Sequence, residues 1–155
     1  MIKVNVEIDY KSWQIKIKNP KKYFNKKLKK VSNAFRLFKN KDIIFTILLT
    51  NDSKIKELNK RFRKKNKPTD VLSFPYFYLK DLKLLKEKKI YIGDIAVSYK
   101  AILQKSQKKD FFIEFDKVWI HGLLHLVGYD HVKNKDYNAM AKEEKRILSL
   151  VWLKF

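Results

Sequence analysis

The chain has 155 residues, of which 45% are hydrophobic and 14% aromatic, so we expect one folded domain spanning residues 1–155. It contains no cysteine, which excludes disulfides and thiolate metal sites and leaves histidine and carboxylates as ligands for any metal ion. The N-terminus lacks a signal-peptide pattern and no apolar run is long enough to cross a bilayer, so the sequence predicts a cytoplasmic protein with no membrane partner.

The net charge is +21, from 37 basic and 16 acidic residues. Such an excess predicts a polyanionic partner, and nucleic acid is the most common one. Only four of the basic residues are arginine, and a lysine-rich composition is also typical of codon usage in AT-rich genomes. Charge alone therefore leaves selection for RNA binding and codon bias as equal alternatives.

The first half of the chain predicts two strands and two helices. Residues Ile2–Ile8 alternate apolar and polar side chains, which indicates a strand with one buried face. Asn19-Pro20 is typical of a helix start, and apolar residues at helical spacing extend that helix from Phe24 to Phe38. Asp42–Thr50 predicts a central strand, and cap residues at 51–53 begin a helix that continues to residue 62.

The second half of the chain predicts two more strands and three more helices, with a surface excursion between the strands. In order, these are a strand at Val71–Phe74, a possibly helical excursion at 76–89, a strand at Ile90–Ser98 interrupted by Gly93-Asp94, and helices at Ser98–Lys108, from Asp110, and at Asp136–Leu153. We therefore predict an α+β fold with a mixed sheet of about four strands and about five helices.

The three histidines of the chain all lie within residues 121–131. His121 and His125 are four residues apart, so they share one face of the predicted helix. His131 would lie about 15 Å from His121 if the helix continued, so the chain must turn, and Gly128 is the residue that allows it. The leucines around the histidines predict a buried helix whose ligand face lines a cavity. The spacing indicates a metal site on this helix and the turn that follows.

Three neutral imidazoles leave the charge of a divalent ion uncompensated and at least one coordination position open, as in catalytic zinc sites. The alternative is a closed structural site, with a fourth ligand from Asp130 or from a carboxylate of the last helix. The histidine spacing also matches the zinc signature of metzincin proteases. Those enzymes carry a glutamate base directly after the first histidine, where this chain has Gly122, so a protease is not expected.

A basic segment in the middle of the chain holds two of the four arginines, Arg61 and Arg63, among several lysines. The planar guanidinium binds two phosphate oxygens at once, which lysine cannot do, so these arginines are candidate phosphate ligands. The other interpretation is a helix end whose basic residues are favoured by the helix dipole.

Three motifs together carry a family resemblance. The segments His121–His131, Pro68–Pro75 and Gly93–Ile95 resemble, in order and spacing, those of the YbeY family of bacterial metal-dependent endoribonucleases of ribosomal RNA maturation. The resemblance extends from about Leu58 to Leu148. Two residues depart from it: Phe62 stands where tyrosine is usual, and Asn66 where aspartate is common.

The resemblance implies a zincin-like α+β fold with one zinc ion on His121, His125 and His131. It implies cleavage of single-stranded RNA, in 3′-end maturation of small-subunit (16S) ribosomal RNA and in ribosome quality control. The implied partners are the small ribosomal subunit, a small-subunit ribosomal protein and an Era-type GTPase. Arg63 matches the arginine that is expected to contact the scissile phosphate in the family.

The remaining site residues have less specific roles. Arg61 and Lys67 are candidates for assisting Arg63, and Ser73 is a candidate for positioning water or phosphate. Asp94 and Asp130 are candidates for the general base or for partners of the histidines. The sequence does not identify the base, and it does not distinguish hydrolysis from attack by the RNA 2′-hydroxyl. The alternative function is a ribosome-assembly factor that holds a structural metal and acts by binding.

Overall fold

The computed structural model describes residues 1–131 and 133–153, which form one four-stranded sheet with helices on both faces. The strands are β1 (Ile2–Ile8), β2 (Asp42–Thr50), β3 (Val71–Pro75) and β4 (Lys89–Ser98). Their order across the sheet is β1-β2-β4-β3. The first three in that order are parallel, and β3 runs antiparallel to β4 at the edge. The α+β class and the mixed four-stranded sheet are confirmed.

Seven α-helices occur in the described part of the chain. They are α1 (Ser12–Lys16), α2 (Pro20–Val31), α3 (Asp52–Arg63), α4 (Leu79–Leu82), α5 (Tyr99–Lys105), α6 (Phe111–Leu126) and α7 (Asn134–Trp152). Five match predicted helices, and Asn19, Asn51 and Asp110 cap three of them through side-chain oxygens. The other two, α1 and α4, have five and four residues, too few for a helical period to show in the sequence. None of the helices described here has the length and apolarity needed to cross a membrane.

The prediction that the helix beginning at Pro20 continues to Phe38 is wrong. α2 ends at Val31, where the hydroxyl of Ser32 accepts a hydrogen bond from the backbone N–H of Ile2 and donates one to the carbonyl of Leu28. The chain then forms a short 3-10 turn at Arg36–Phe38. Phe35 and Phe38 are still buried, because this part of the chain folds back on the core. Apolar residues in such a loop can have the same spacing as those on one face of a helix.

The two faces of the sheet are covered unequally. The main core lies between one face of the sheet and the helices α2 and α6, with α7 packed against those two helices, and its fully buried side chains include Phe24, Phe115 and Trp119. The opposite face is covered by α3, through a small cluster that contains Ile55 and Leu72. Eleven of the sixteen residues of α6 are buried, which confirms the buried histidine helix.

A buried carboxylate fixes the first half of α6 against α2. Asp116 is fully buried and accepts hydrogen bonds from the Tyr23 hydroxyl at 2.7 Å, from Lys27 Nζ at 2.6 Å and from Trp119 Nε1 at 2.7 Å. A buried charge is tolerated only with such full pairing. Because the network joins α6 to α2, it restricts rotation of the helix that carries the histidines.

A β-bulge changes the direction of the side chains in the middle of β4. Ile44 pairs with Tyr91 and Phe45 pairs with Gly93, so Ile92 is an extra residue without a partner in β2. Gly93 has φ +134°, and a Cβ there would lie 2.2 Å from the carbonyl oxygen of Phe74. The bulge reverses the alternation, so Tyr91 and Asp94 point to the same face, the one covered by α3.

Candidate metal centre

The last two turns of α6 and the following turn bring the three histidines together. Their candidate ligand nitrogens all lie within 4.8 Å of one another, and Nε2 of His121 is 3.1 Å from Nε2 of His125. Two nitrogens on one tetrahedral zinc ion are about 3.3 Å apart, because each lies about 2.0 Å from the ion. His121 and His125 are half-buried and His131 is exposed, so the cluster is open to solvent on one side.

Neighbouring groups fix the orientation of two of the rings. Nδ1–H of His125 donates to the carbonyl of Tyr129 at 3.0 Å, and Nδ1–H of His121 donates to the carboxylate of Glu144 on α7. Each bond leaves Nε2 with its lone pair towards the cluster, which is the tautomer that a metal ion requires.

The protonation state of the central histidine also suits a metal ligand. Burial lowers the pKa of His125, and the nearby imidazoles of His121 and His131 lower it further. Hydrogen bonding to Tyr129 and the charge of Asp130 oppose this effect without reversing it. His125 is therefore neutral near pH 7. With three imidazoles at ligand spacing and orienting bonds on two of them, the residues fit a divalent ion such as zinc.

Glu144 is a candidate site residue that no sequence motif indicated. It lies on α7 in a stripe with Met140, Ile147 and Val151, whose side chains are buried. A carboxylate in an otherwise apolar stripe is a signal that could have identified it, because a charge on the buried face of a helix needs a partner.

The turn after α6 forms as the sequence predicted. The helix ends at Leu126, and Gly128 has φ +100°, in the left-handed region that favours glycine. A Cβ on Gly128 would lie 2.7 Å from Cβ of Leu79, the first residue of α4. The excursion at 76–89 is largely exposed, as predicted. Within it, however, α4 packs against the turn that carries His131.

Gly122 allows α6 to approach the sheet closely. A Cβ at this position would lie 3.0 Å from Cγ2 of Ile95 and 3.1 Å from the hydroxyl of Ser73. That hydroxyl is buried and donates to the carbonyl of Gly122 at 3.2 Å. Gly122, which stands where metzincin proteases carry their glutamate base, therefore faces β3 and β4. Ser73 joins the edge strand β3 to the histidine helix α6.

Arg63 lies next to this contact. It is the last residue of α3, and its Nη2 donates to the backbone carbonyl of Ser73 at 3.2 Å. One continuous set of hydrogen bonds therefore runs from the Arg63 guanidinium through Ser73 to α6. The side chain of Arg63 is exposed, so its remaining N–H groups are accessible to a phosphate.

The other two basic candidates lie around the end of α3. Arg61 is exposed and places its guanidinium 5.3 Å from the ring centre of Phe62. Lys67 lies in the loop that follows, and its carbonyl accepts a hydrogen bond at 2.8 Å from the amide of Asn59, which is buried. Asn59 therefore holds the backbone of Lys67 against α3, the helix that ends at Arg63.

The two aspartate candidates have different surroundings. Asp130 is exposed in the turn before His131 and accepts a hydrogen bond from the backbone N–H of that histidine at 2.7 Å. Asp94 accepts one from the Tyr91 hydroxyl at 2.5 Å, on the α3 side of the sheet. The structure therefore places Asp130 beside the histidines and Asp94 on the opposite side of the sheet from α6.

Known proteins match this chain in sequence over nearly its full length. A family model described as endoribonuclease YbeY matches residues 6–151. The chain belongs to the endoribonuclease YbeY family. Endoribonuclease YbeY of Pelagibacter ubique is 44% identical, over 97% of this chain and 97% of that protein. Endoribonuclease YbeY of Ehrlichia canis is 35% identical, over 99% of this chain and 95% of that protein.

A solved structure shares the fold of this chain. TM1509 of Thermotoga maritima superposes with a TM-score of 0.61 at 28% sequence identity, covering 98% of this chain and 89% of that one. The family resemblance found in the three motifs is confirmed by the family model and by the relatives that match nearly the whole chain. Endoribonucleases are hydrolases that cut phosphodiester bonds within RNA, so the enzyme class expected from the sequence is confirmed as well.

Proposed function

We propose that this protein is a zinc-dependent endoribonuclease of single-stranded RNA, carried by one domain spanning residues 1–155. Its role is 3′-end maturation of small-subunit ribosomal RNA and ribosome quality control in the cytoplasm, on the small ribosomal subunit. A small-subunit ribosomal protein and an Era-type GTPase are its proposed partners. One observation carries the proposal: three imidazoles converge at the C-terminal end of α6, on a side open to solvent, near Arg63, an exposed arginine at the end of α3 that bonds to the adjoining edge strand.

His121, His125 and His131 would hold the single zinc ion. When bound, such an ion supplies Lewis acidity to a phosphate oxygen and to water. Glu144 and the Tyr129 carbonyl keep the imidazoles oriented, and burial keeps His125 neutral. These residues therefore maintain a site that is ready for the metal before RNA arrives.

Arg63 supplies the main contact to the scissile phosphate. Its guanidinium offsets negative charge that develops on the phosphoryl oxygens in the transition state. Arg61 and Lys67 bind neighbouring phosphates along the same basic surface. Ser73 contributes indirectly, because its carbonyl positions Arg63 and its hydroxyl positions α6.

Asp130 is the proposed proton acceptor. Of the two carboxylates beside the histidines in the described chain, Glu144 is engaged with His121, whereas Asp130 is exposed at the mouth of the cluster. Asp94 lies on the other side of the sheet and is assigned no part in proton transfer.

The alternative function is a ribosome-assembly factor with a structural metal. It requires a closed metal site, with a fourth ligand from the protein. Within residues 1–131 and 133–153, the group that could hold an ion consists of the three histidines alone. Because His131 is also exposed, the arrangement favours an open, catalytic site over a structural one.

The experiment is cleavage of a labelled single-stranded RNA by zinc-loaded protein, with and without chelator. We expect His125→Ala to abolish cleavage and Arg63→Ala to slow it by about 10²–10³-fold, the usual effect of removing one transition-state contact. Lys29→Ala is the control, since Lys29 is exposed on α2, which carries none of the proposed site residues, and should leave the rate unchanged. If the zinc-loaded protein leaves RNA intact, even on small ribosomal subunits that it binds, the assembly-factor function replaces the enzyme.

A further inference from the structure

A cavity lies on the α3 face of the sheet, away from the histidines. Its volume is about 370 Å³, within the range of small-ligand sites. The walls are mostly apolar, with polar groups at one end. The residues that matter here are Leu48, Leu58, Phe62, Phe74, Thr46 and Asp94.

The mouth of the cavity has an exposed aromatic ring beside a cation. Phe62 is 56% exposed, unusually high for a phenylalanine, and its ring packs edge-on against Phe74 with 5.3 Å between centroids. The guanidinium of Arg61 lies 5.3 Å from the Phe62 ring centre. Exposed aromatic rings next to basic side chains are the usual surface on which proteins stack the bases of single-stranded nucleic acids.

The polar end of the cavity accepts hydrogen bonds. Thr46 Oγ1 and Asp94 Oδ1 lie 2.6 Å and 2.5 Å from the Tyr91 hydroxyl. Burial and the hydrogen bond to Asp94 raise the pKa of Tyr91, so the tyrosine stays protonated and Asp94 keeps acceptor capacity for a ligand. Glu7 adds a second carboxylate to the cavity lining. Two carboxylates repel phosphate and favour a ligand edge that carries N–H donors.

The rim of the cavity leads to the metal centre. The last turn of α3 carries Lys60, Arg61 and Arg63, and Arg63 bonds to the carbonyl of Ser73 on the edge strand β3. The hydroxyl of Ser73 bonds to α6 on the other side of the strand. A nucleic-acid backbone that follows these arginines passes over one edge strand between the cavity and the histidines.

We propose that this cavity binds one base of the single-stranded RNA substrate. The base stacks on Phe62 and donates an amino hydrogen to Asp94, while Arg61 and Arg63 hold the flanking phosphates. The inference rests on the proposed endoribonuclease function and adds a subsite with base preference. Cytosine carries an exocyclic amino group and uracil does not, so the subsite prefers cytosine over uracil, two bases with the same ring size.

The test of the polar end is binding of labelled oligocytidine and oligouridine to metal-free protein at one fixed salt concentration. Wild type should bind oligocytidine at least about threefold more tightly, within the strength of one hydrogen bond to a charged group. Asp94→Asn should bring the ratio close to one. Glu87→Gln is the matched control, because it removes one negative charge in an exposed loop before β4 and should keep the ratio.

The test of the aromatic wall uses Phe62→Ala in the same assay. Loss of one stacking contact should weaken binding of the preferred oligonucleotide by about tenfold. Trp152→Ala is the control, since Trp152 is also exposed and has the Lys27 ammonium 4.4 Å from its ring centre. Because Phe62 is exposed, Phe62→Ala should fold. If Asp94→Asn does not fold, Phe62→Ala alone decides whether the cavity binds a base.

Two results overturn the inference: equal binding of the two oligonucleotides by wild type, or a ratio that Asp94→Asn leaves unchanged. Unchanged binding by Phe62→Ala also overturns it. Each of these three binding results can occur while zinc-loaded wild-type protein still cleaves RNA. In that case only the proposed base subsite is rejected, and the proposed function stands. If wild type neither binds nor cleaves single-stranded RNA, the proposed function fails with it.

Discussion

At the scale of single residues, the site depends on groups that orient the histidines as much as on the histidines. The Tyr129 carbonyl and the Glu144 carboxylate each engage one Nδ1–H, and this directs Nε2 of His125 and His121 towards the cluster. Without these bonds the rings could rotate or carry the proton on the wrong nitrogen. The metal affinity should therefore be sensitive to Glu144.

Glu144→Gln tests this point. Glutamine keeps the size of the side chain but removes the charge that stabilises the His121 tautomer, so we expect zinc affinity to fall by about 10–100-fold. The measurement is competition for zinc against a chromophoric chelator. Glu143→Gln is the control, because the Glu143 carboxylate pairs with Arg146 instead of a histidine. Equal affinities for the two variants would contradict the role of Glu144.

The site residues that belong to a motif could be predicted from the sequence. Those whose surroundings depend on packing between elements could not. The histidines and Gly128 follow from spacing within one segment. Glu144 contacts His121 across 23 residues of chain, and only the docking of α7 on α6 brings them together. Asp94 faces α3 because the bulge at Ile92 reverses the side-chain alternation of β4, and no local pattern specifies a bulge of this kind.

At the scale of elements, the contact between α6 and the edge of the sheet connects the histidines to Arg63. Gly122 lies in this contact, against Ile95 and Ser73. Ile95 is fully buried and the Ser73 hydroxyl is bonded to the carbonyl of Gly122, so neither has room to move. The helix cannot accept a larger residue here without moving away from β3.

Gly122→Ala should therefore reduce the free energy of unfolding by about 1 kcal/mol. Overpacking costs about 1–3 kcal/mol and outweighs the gain of about 1 kcal/mol in helix propensity. The measurement is urea unfolding, as a double-mutant cycle with Ser73→Ala, which removes one of the crowding atoms. We expect Gly122→Ala to cost less in the Ser73→Ala background. An increase in stability, or no coupling, would contradict the close contact.

Elements with strong local signals were predicted well, and short or loop elements were not. The strands and the capped helices follow from alternation, periodicity and cap residues. α2 ends earlier than its apolar spacing suggested, because the Ser32 hydroxyl bonds to both α2 and β1. The helices α1 and α4 contain too few residues for a period, and α4 is held by packing of Leu79 on the turn at Gly128.

At the scale of the whole molecule, the charge of +21 either serves RNA binding or reflects codon usage. The structure suggests how to separate the two. Arg61, Arg63 and Lys67 gather at the end of α3 next to the edge strand, whereas many lysines lie elsewhere, for example along α2. Only charges in contact with RNA phosphates release counterions on binding.

The salt dependence of RNA binding measures that contact. For single-stranded RNA, the logarithm of affinity falls with the logarithm of salt concentration by about 0.7 for each phosphate neutralised. We expect Arg63→Ala to weaken binding to metal-free protein and to reduce this slope by about 0.7. Lys29→Ala, on the exposed face of α2, should leave the slope unchanged. Identical slopes for wild type and Arg63→Ala would show that Arg63 does not contact phosphate.

The central claim is that one metal ion on His121, His125 and His131 makes this chain a ribonuclease. The most direct test is the rate of single-stranded RNA cleavage as zinc is added stepwise to metal-free protein. We predict no cleavage without zinc, a rise with each addition, and a plateau at one equivalent, with no rise in His125→Ala. Cleavage by the metal-free protein, or none at any zinc concentration, would contradict the claim.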